Sequence, residues 1–266
     1  MTEIFDDIRK IYEFKLPPNE LSDYIEFFSE SNMNATRHHI DDNPFTVKMF
    51  ASYTPTIWIN LGSPYHLTIG NKMYSIKMEE DILVTRDTIV ERHNFPSDHI
   101  FTVKFFPGGL EAVFGMDQTK MLNKVVPLHT IIPPTLMMQV RATNNFEERK
   151  KLFEDFFLQR LKKVRMKDYY LRFVTDTIAL YKKGNMQFNI NEMAVRVFTT
   201  SKTINRYFNR VIGTSPKKYL SILRARVALT SFVNNKKIFD PADFGYYDMS
   251  HFYKEIVNFT QHSIAD

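Results

Sequence analysis

The stretch Thr199–Leu220, TTSKTINRYFNRVIGTSPKKYL, describes a helix with two unlike sides. Ile204, Phe208 and Val211 are spaced four and three residues apart and share a face. Lys202, Asn205, Arg206 and Asn209 form a second stripe, which lies opposite at about 100° per residue. A hydroxyl at Thr199, Thr200 or Ser201 is placed to cap the first turn. Beyond Gly213, Ser215 and Pro216 supply the cap and first-turn proline of a further helix. That helix is expected to run to about Phe232, roughly 25 Å at about 1.5 Å per residue.

One side of the first helix can be buried while the other presents long hydrogen-bond donors. Arg and Asn are the residue types that read guanine and adenine edges in pairs of bonds. A short helix is expected just before it, over Asn191–Val197. Asn189 with Glu192 three residues on has the form of a capping box, and Ala194 allows two helices to cross closely. The two together read as a helix-turn-helix. The plainer reading is an amphipathic helix with a solvated basic face.

A second, weaker unit follows in Phe239–Ser263, FDPADFGYYDMSHFYKEIVNFTQHS. Phe252, Ile256 and Phe259 repeat the spacing of Ile204, Phe208 and Val211, and Ala242 stands to Phe252 as Ala194 does to Ile204. Two such units joined by one rigid helix suit a double-stranded DNA target, whose successive major grooves lie about 34 Å apart on one face.

Charge is divided in the same sense. Of the 266 residues, 1–140 hold 12 Lys and Arg against 18 Asp and Glu, and 141–266 hold 23 against 12. A basic half following an acidic one suggests that one half meets a polyanion.

The first half is mostly β. FTVKMF, TIWINL, HLTI, MYSIKM, DILVT and IFTVKFF are short runs rich in β-branched and aromatic residues, punctuated by Pro, Gly, Asn and Asp. This predicts an antiparallel barrel or sandwich between about Leu16 and Pro107. Ahead of it, Ile4, Ile8 and Ile11 share a helical face, and PGGLEAVFG begins a short helix after it. From Phe146 a stripe of Leu152, Phe153, Phe156, Phe157 and Leu161 marks a helix that either packs onto its own barrel or pairs with a second copy. DYYLRFVTDTIALYKKGN is a further helix, with Asp168 as its candidate cap and Gly184-Asn185 as its end.

INEMAVRV, TSKTINRYFNRVIGTSPKKYLSILRARVALT and FGYYDMSHFYKE resemble the C-terminal DNA-binding domain of AraC/XylS-type transcription regulators, over about Asp168–Asp266. VKFFPGGLEAVFG with LNKVVPLHTII resembles a β-rich sensor domain found ahead of such domains. The resemblance implies an α+β chain. Its N-terminal part would be an antiparallel β-barrel, cupin-like domain, and its C-terminal part an all-α domain with two helix-turn-helix units joined by a linker helix. The corresponding boundaries are 1–135 for sensing or dimerisation, 136–166 for a helical connector and candidate dimer helix, and 167–266 for DNA binding.

By the family's pattern Lys202, Asn205 and Arg206 face bases, Thr200 and Thr203 lie near phosphates, and Arg210 adds a basic contact. In the second unit Met249, Ser250, Tyr253 and Lys254 take the reading positions and His251 flanks them. The partners implied are promoter DNA, RNA polymerase, a second copy of the chain and a small-molecule effector in the N-terminal domain.

The second unit departs from the pattern. Pro241-Ala242 stands where the family has Ile-Ala, one residue is missing before Gly245-Tyr246, and the later Gly and Pro are Gln261 and Ile264. Ile238–Asp266 carries five carboxylates against one Lys. A regulator that acts by sequestering a protein partner is therefore the alternative. Phe198 also replaces the usual Gly of the first turn.

Other chemistry is not expected. There is no cysteine for a disulfide, a zinc thiolate or an alkyl-accepting nucleophile. His38, His39, His66, His93 and His99 do not fall at metal-ligand spacing, no G-x-S-x-G or G-x-x-x-x-G-K occurs, and neither a cofactor nor an enzymatic activity is indicated. No apolar run is long enough to span a bilayer and MTEIFDDIRK is unlike a signal peptide, so the expected location is the cytoplasm, with no membrane partner. Most of Tyr53, Trp58, Tyr65, Tyr74, Phe101, Phe105 and Phe106 should be core, with the remainder lining a ligand pocket.

Overall fold

A computed structural model describes residues 10–40, 43–116, 118–163 and 169–260. The chain is α+β, with antiparallel sheets in its N-terminal part and helices in its C-terminal part. Ten strands are described: β1 (Tyr12–Lys15), β2 (Ile25–Ser31), β3 (Phe45–Met49), β4 (Thr56–Asn60), β5 (Tyr65–Ile69), β6 (Lys72–Ile76), β7 (Ile82–Thr85), β8 (Val90–Asn94), β9 (Ile100–Phe105) and β10 (Lys124–Pro127). One sheet has the order β1-β2-β9-β4-β7-β10 and the other β3-β8-β5-β6, all neighbours antiparallel. The two sheets are separate ladders among the described residues, so of the barrel and the sandwich expected for this part it is the sandwich that forms.

Alternation along the central strands fixes three layers. On β4, Thr56 and Trp58 face the four-stranded sheet, while Ile57 and Ile59 face helices on the other side. Those helices do not include α1 (Met33–Ile40): α2 (Gly109–Phe114), α3 (Pro134–Ala142) and α4 (Phe146–Lys163) pack Leu110, Val113, Leu136, Val140, Phe153 and Phe157 against Phe28, Leu83, Phe101 and Phe105. Of the apolar stripe of α4, Phe153 and Phe157 are buried on the chain's own sheet, while Leu152, Phe156 and Leu161 are half-buried. Phe153 stacks on Phe101 at 5.4 Å, and Phe157 meets Phe105 edge-on at 5.6 Å.

The helical part comprises α5 (Tyr169–Lys183), α6 (Ile190–Arg196), α7 (Ser201–Val211), α8 (Pro216–Asn234) and α9 (Met249–Thr260). Ser215 accepts from the Lys218 N–H and Pro216 is the first residue of α8, as expected. The helix named as capped by Asp168 begins at Tyr169; Asp168 itself, Ile4, Ile8, Gln261 and Ile264 lie outside the described residues. Among the described residues no helix is long and apolar enough to cross a membrane, and no group of three His, Cys, Asp or Glu could hold a metal ion.

The two parts share a core. Phe50, Ala51, Tyr53 and Ala112 are buried with Leu171, Val211, Ile212 and Tyr219. Gly108 (φ 80°) and Gly213 (φ 87°) mark the closest approaches: a Cβ at Gly108 would lie 2.3 Å from Leu171 Cδ1, and one at Gly213 would lie 3.1 Å from Thr119 Cα. The loop from Phe50 to Pro55 is the wedge between them. Its Phe50 ring lies 6.1 Å from Phe259 of α9, and its Tyr53 ring 6.3 Å from Tyr219 of α8.

Candidate nucleic-acid interface

Helix α6 begins with the expected capping box. Asn189 Oδ1 accepts from the N–H groups of Asn191 (2.9 Å) and Glu192 (3.0 Å), and Glu192 Oε2 accepts from that of Asn189 (2.9 Å). Ala194 is buried where α6 meets the helices after it. Thr200 then caps α7, its hydroxyl accepting from the Thr203 N–H at 3.2 Å. The Ser201 hydroxyl donates to Asn191 Oδ1, tying the starts of α6 and α7 together.

Within α7 the two stripes separate as the spacing requires. Ile204, Phe208 and Val211 are at most 1% exposed, and Lys202, Asn205, Arg206, Asn209 and Arg210 are all exposed. Asn209 Nδ2 donates to the Asn205 carbonyl at 2.7 Å, holding both amides along one line. Arg206 lies over the ring of Tyr207 (5.1 Å), and Arg210 over that of Tyr170 on α5 (4.1 Å). Tyr207 is itself clamped edge-on by Tyr170 and Phe173 at 4.8 and 5.0 Å. Sequence reasoning missed this clamp, which is built from residues more than thirty positions apart.

The second unit is different in build. Its first element is a four-residue 3-10 turn, Pro241–Phe244, in which Asp240 caps the Ala242 N–H. Ala242 is exposed, so it does not serve the helix crossing expected from its match to Ala194. On α9, Phe252 and Ile256 are fully buried, while Ser250, His251 and Lys254 are exposed. Tyr253 is half-buried and meets the Phe232 ring edge-on at 6.0 Å. The His251 ring rests against Tyr246, and the backbone N–H of His251 donates to Asp248 Oδ1 at 2.7 Å.

The charges around both units are more committed than their sequence suggests. Glu255 accepts from Arg224 of α8 at 2.9 and 2.8 Å and also from the Ser221 hydroxyl. It therefore does not face outward as a free carboxylate, and Arg224 does not add to the basic surroundings of α7. Lys218 donates to Asp87 of the N-terminal part at 2.7 Å. Burial pushes the Asp87 carboxyl up, but the bonds it accepts from Lys218, Asn123 and Tyr53 outweigh this and hold it below its ordinary value. Burial pushes Lys218 down, and Asp87 together with Tyr53 more than restores it.

No protein-family model matches the chain, and no curated protein matches it. Among solved structures, ToxT from Vibrio cholerae is similar at 10% identity and TM-score 0.49, over 84% of this chain and 96% of that one. The unsaturated-fatty-acid-bound form of ToxT from the same organism gives 10% and 0.44, over 83% and 92%. The AraC-like transcriptional activator CuxR gives 12% and 0.28, over 90% and 93%.

Proposed function

We propose that the chain is a sequence-specific DNA-binding transcription regulator of the AraC/XylS type. The observation that carries this reading is α7: a helix capped by Thr200, buried along Ile204, Phe208 and Val211, with a stripe of Lys202, Asn205 and Arg206 left exposed. Preceded by α6 and followed by a 19-residue helix leading to a second unit, it has the parts of a tandem helix-turn-helix. The quoted resemblance supports the same reading. Arg206 and Asn205 read base edges in promoter DNA, Lys202 supports them, and Thr200, Thr203 and Arg210 lie along the phosphates. Ser250, His251 and Lys254 present the second, weaker face. The chain works as a homodimer that engages RNA polymerase, its N-terminal part modulates DNA binding through a small-molecule effector, and no catalysis is involved. Selection of bound sites from a random DNA pool tests the reading: an enriched motif supports it, and a pool that stays random overturns it.

The short Pro241–Phe244 turn and the half-buried Tyr253 favour a second reading, in which the regulator sequesters a protein partner. Salt separates the two. Affinity for duplex falls steeply with salt when phosphates are contacted, and affinity for an apolar partner surface hardly changes.

A further inference from the structure

Alternation on the four-stranded sheet turns one of its faces away from the core. Tyr65, Leu67 and Ile69 of β5 and Val90, Arg92 and Asn94 of β8 are buried, so His66, Thr68, Glu91 and His93 point the other way. The register then sets one outward row across all four strands. Thr46 of β3 lies opposite His93 of β8, His93 opposite His66 of β5, and His66 opposite Ser75 of β6. Two histidines remote in sequence are thus direct cross-strand neighbours. His66 is exposed and His93 half-buried, so both are open to solvent.

Each ring is held by the strand on its far side. His93 Nδ1 is 2.8 Å from Thr46 Oγ1, and His66 Nδ1 is 3.1 Å from Ser75 Oγ. The two nitrogens of an imidazole lie on opposite edges of the ring. With both Nδ1 edges turned outward along the row, both Nε2 edges are turned inward, toward each other. Neither Nε2 has a hydrogen-bond or ion-pair partner among the described residues. In the tautomer whose Nδ1–H donates to the hydroxyl, Nε2 carries the lone pair that a metal takes. In the neighbouring row Lys48 faces Glu91 at 3.4 Å, so the charges there offset each other.

We propose that His66 and His93 form a two-ligand site for a divalent first-row transition metal, copper(II) or zinc(II), with water in the remaining positions. The site goes beyond the DNA-binding reading and does not depend on it. Imidazole nitrogen suits these metals, whereas magnesium and calcium take oxygen ligands. Two bonds of about 2.0–2.1 Å to one metal put their nitrogens about 3 Å apart. Directly opposed residues have Cβ atoms about 4.5–5.5 Å apart, so the rings need only lean together over the sheet. Histidines that ligate a metal almost always donate their other N–H to a fixed acceptor, and Thr46 and Ser75 are those acceptors. The described His, Cys, Asp and Glu side chains supply no third ligand. Spacing along the chain could not show the pair, because only the β5–β8 register joins it.

The full chain, without a histidine tag, is titrated by calorimetry with the chlorides of copper(II), zinc(II) and magnesium. Saturable binding is expected with copper, weaker binding with zinc and none with magnesium. His66→Gln and His93→Gln should each weaken copper binding about tenfold or more, and Thr46→Val, which frees the His93 ring to turn, by about tenfold. His129→Gln, at an exposed histidine outside the row, should leave the titration unchanged. Because the metal bridges β5 and β8 only in the folded chain, copper should also raise the urea midpoint of the parent and not that of His66→Gln or His93→Gln. If neither of these variants folds by circular dichroism, Ser75→Ala takes their place, with an expected loss of about tenfold. One metal per chain upholds the site, as does one per two chains, the open positions then being filled by the same pair of a second copy. No saturable binding by the parent, equal binding of magnesium, or titrations unaltered in the folded His66 and His93 variants overturns it.

Discussion

Arg206 is the residue on which sequence choice should turn. It is exposed on α7 and held over Tyr207, which limits the freedom it must give up on binding. Arg206→Ala should cost about 1–3 kcal/mol at the selected site and much less on random duplex, as read by fluorescence anisotropy on both. Equal losses would make it a phosphate contact. Phe198 is the opposite case, a bulky residue at φ 52° that is 98% exposed in the turn between α6 and α7. A left-handed conformation costs a non-glycine residue about 1–2 kcal/mol, part of which glycine returns through its freer unfolded chain. Phe198→Gly should therefore raise stability by about 0.5–1 kcal/mol, measured by the urea midpoint. This position was legible as a departure from pattern, because the turn's need for a left-handed residue is local. The buried cations Arg86, Arg92 and Lys104 were not legible, because nothing local distinguishes an inward Arg from an outward one.

At the level of elements, the helices and caps were readable wherever their signals lie within one turn: Asn189 with Glu192, Thr200, and Ser215 with Pro216. Strand β8 escaped notice for a physical reason. Its inward residues are Val90, Arg92 and Asn94, so polar side chains occupy the buried face and the alternation disappears. For α4, periodicity could not choose between the chain's own sheet and a second copy. The packing of Phe153 and Phe157 against Phe101 and Phe105 makes these two residues of the stripe core, and Phe157→Ala should lose about 3–5 kcal/mol in chemical denaturation. In the second unit, Lys254 shares its segment of sequence with Asp240, Asp243 and Asp248, with Glu255 taken up by Arg224. Lys254→Ala should lower operator affinity by under about 1 kcal/mol, less than Arg206→Ala, and footprints should show one groove strongly and the next weakly protected. Equal protection and equal losses would show both units reading alike.

For the molecule as a whole, net charge by halves suggested a free basic surface, but part of that charge joins the halves. Lys218 and Asp87 form the clearest link, and Lys218 is about half exposed, so screening keeps the pair modest. A double-mutant cycle with Lys218→Ala and Asp87→Ala should give a coupling under about 1 kcal/mol. Asp87 is held below its unfolded value, so its contribution is present at neutral pH and fades as the medium falls through the acid side of about 4. Lys218 is held above its unfolded value, so its share fades only as the medium rises past about 10.4. The coupling should thus be level from about pH 6 to 9, and a slope there would mean another group titrates at the contact.

The wedge from Phe50 to Pro55 also bears on how far the chain is modular. Phe259 and Tyr219 belong to the helical part, yet their rings are covered by Phe50 and Tyr53 from the sheet part. Cutting the chain between α4 and α5 would leave those rings in water, on a fragment whose buried surface was completed by a segment over a hundred residues upstream. A chimera that grafts α5 to α9 onto a foreign sensor inherits that bare patch, and it needs a transplanted hexapeptide in the same place to stay monodisperse.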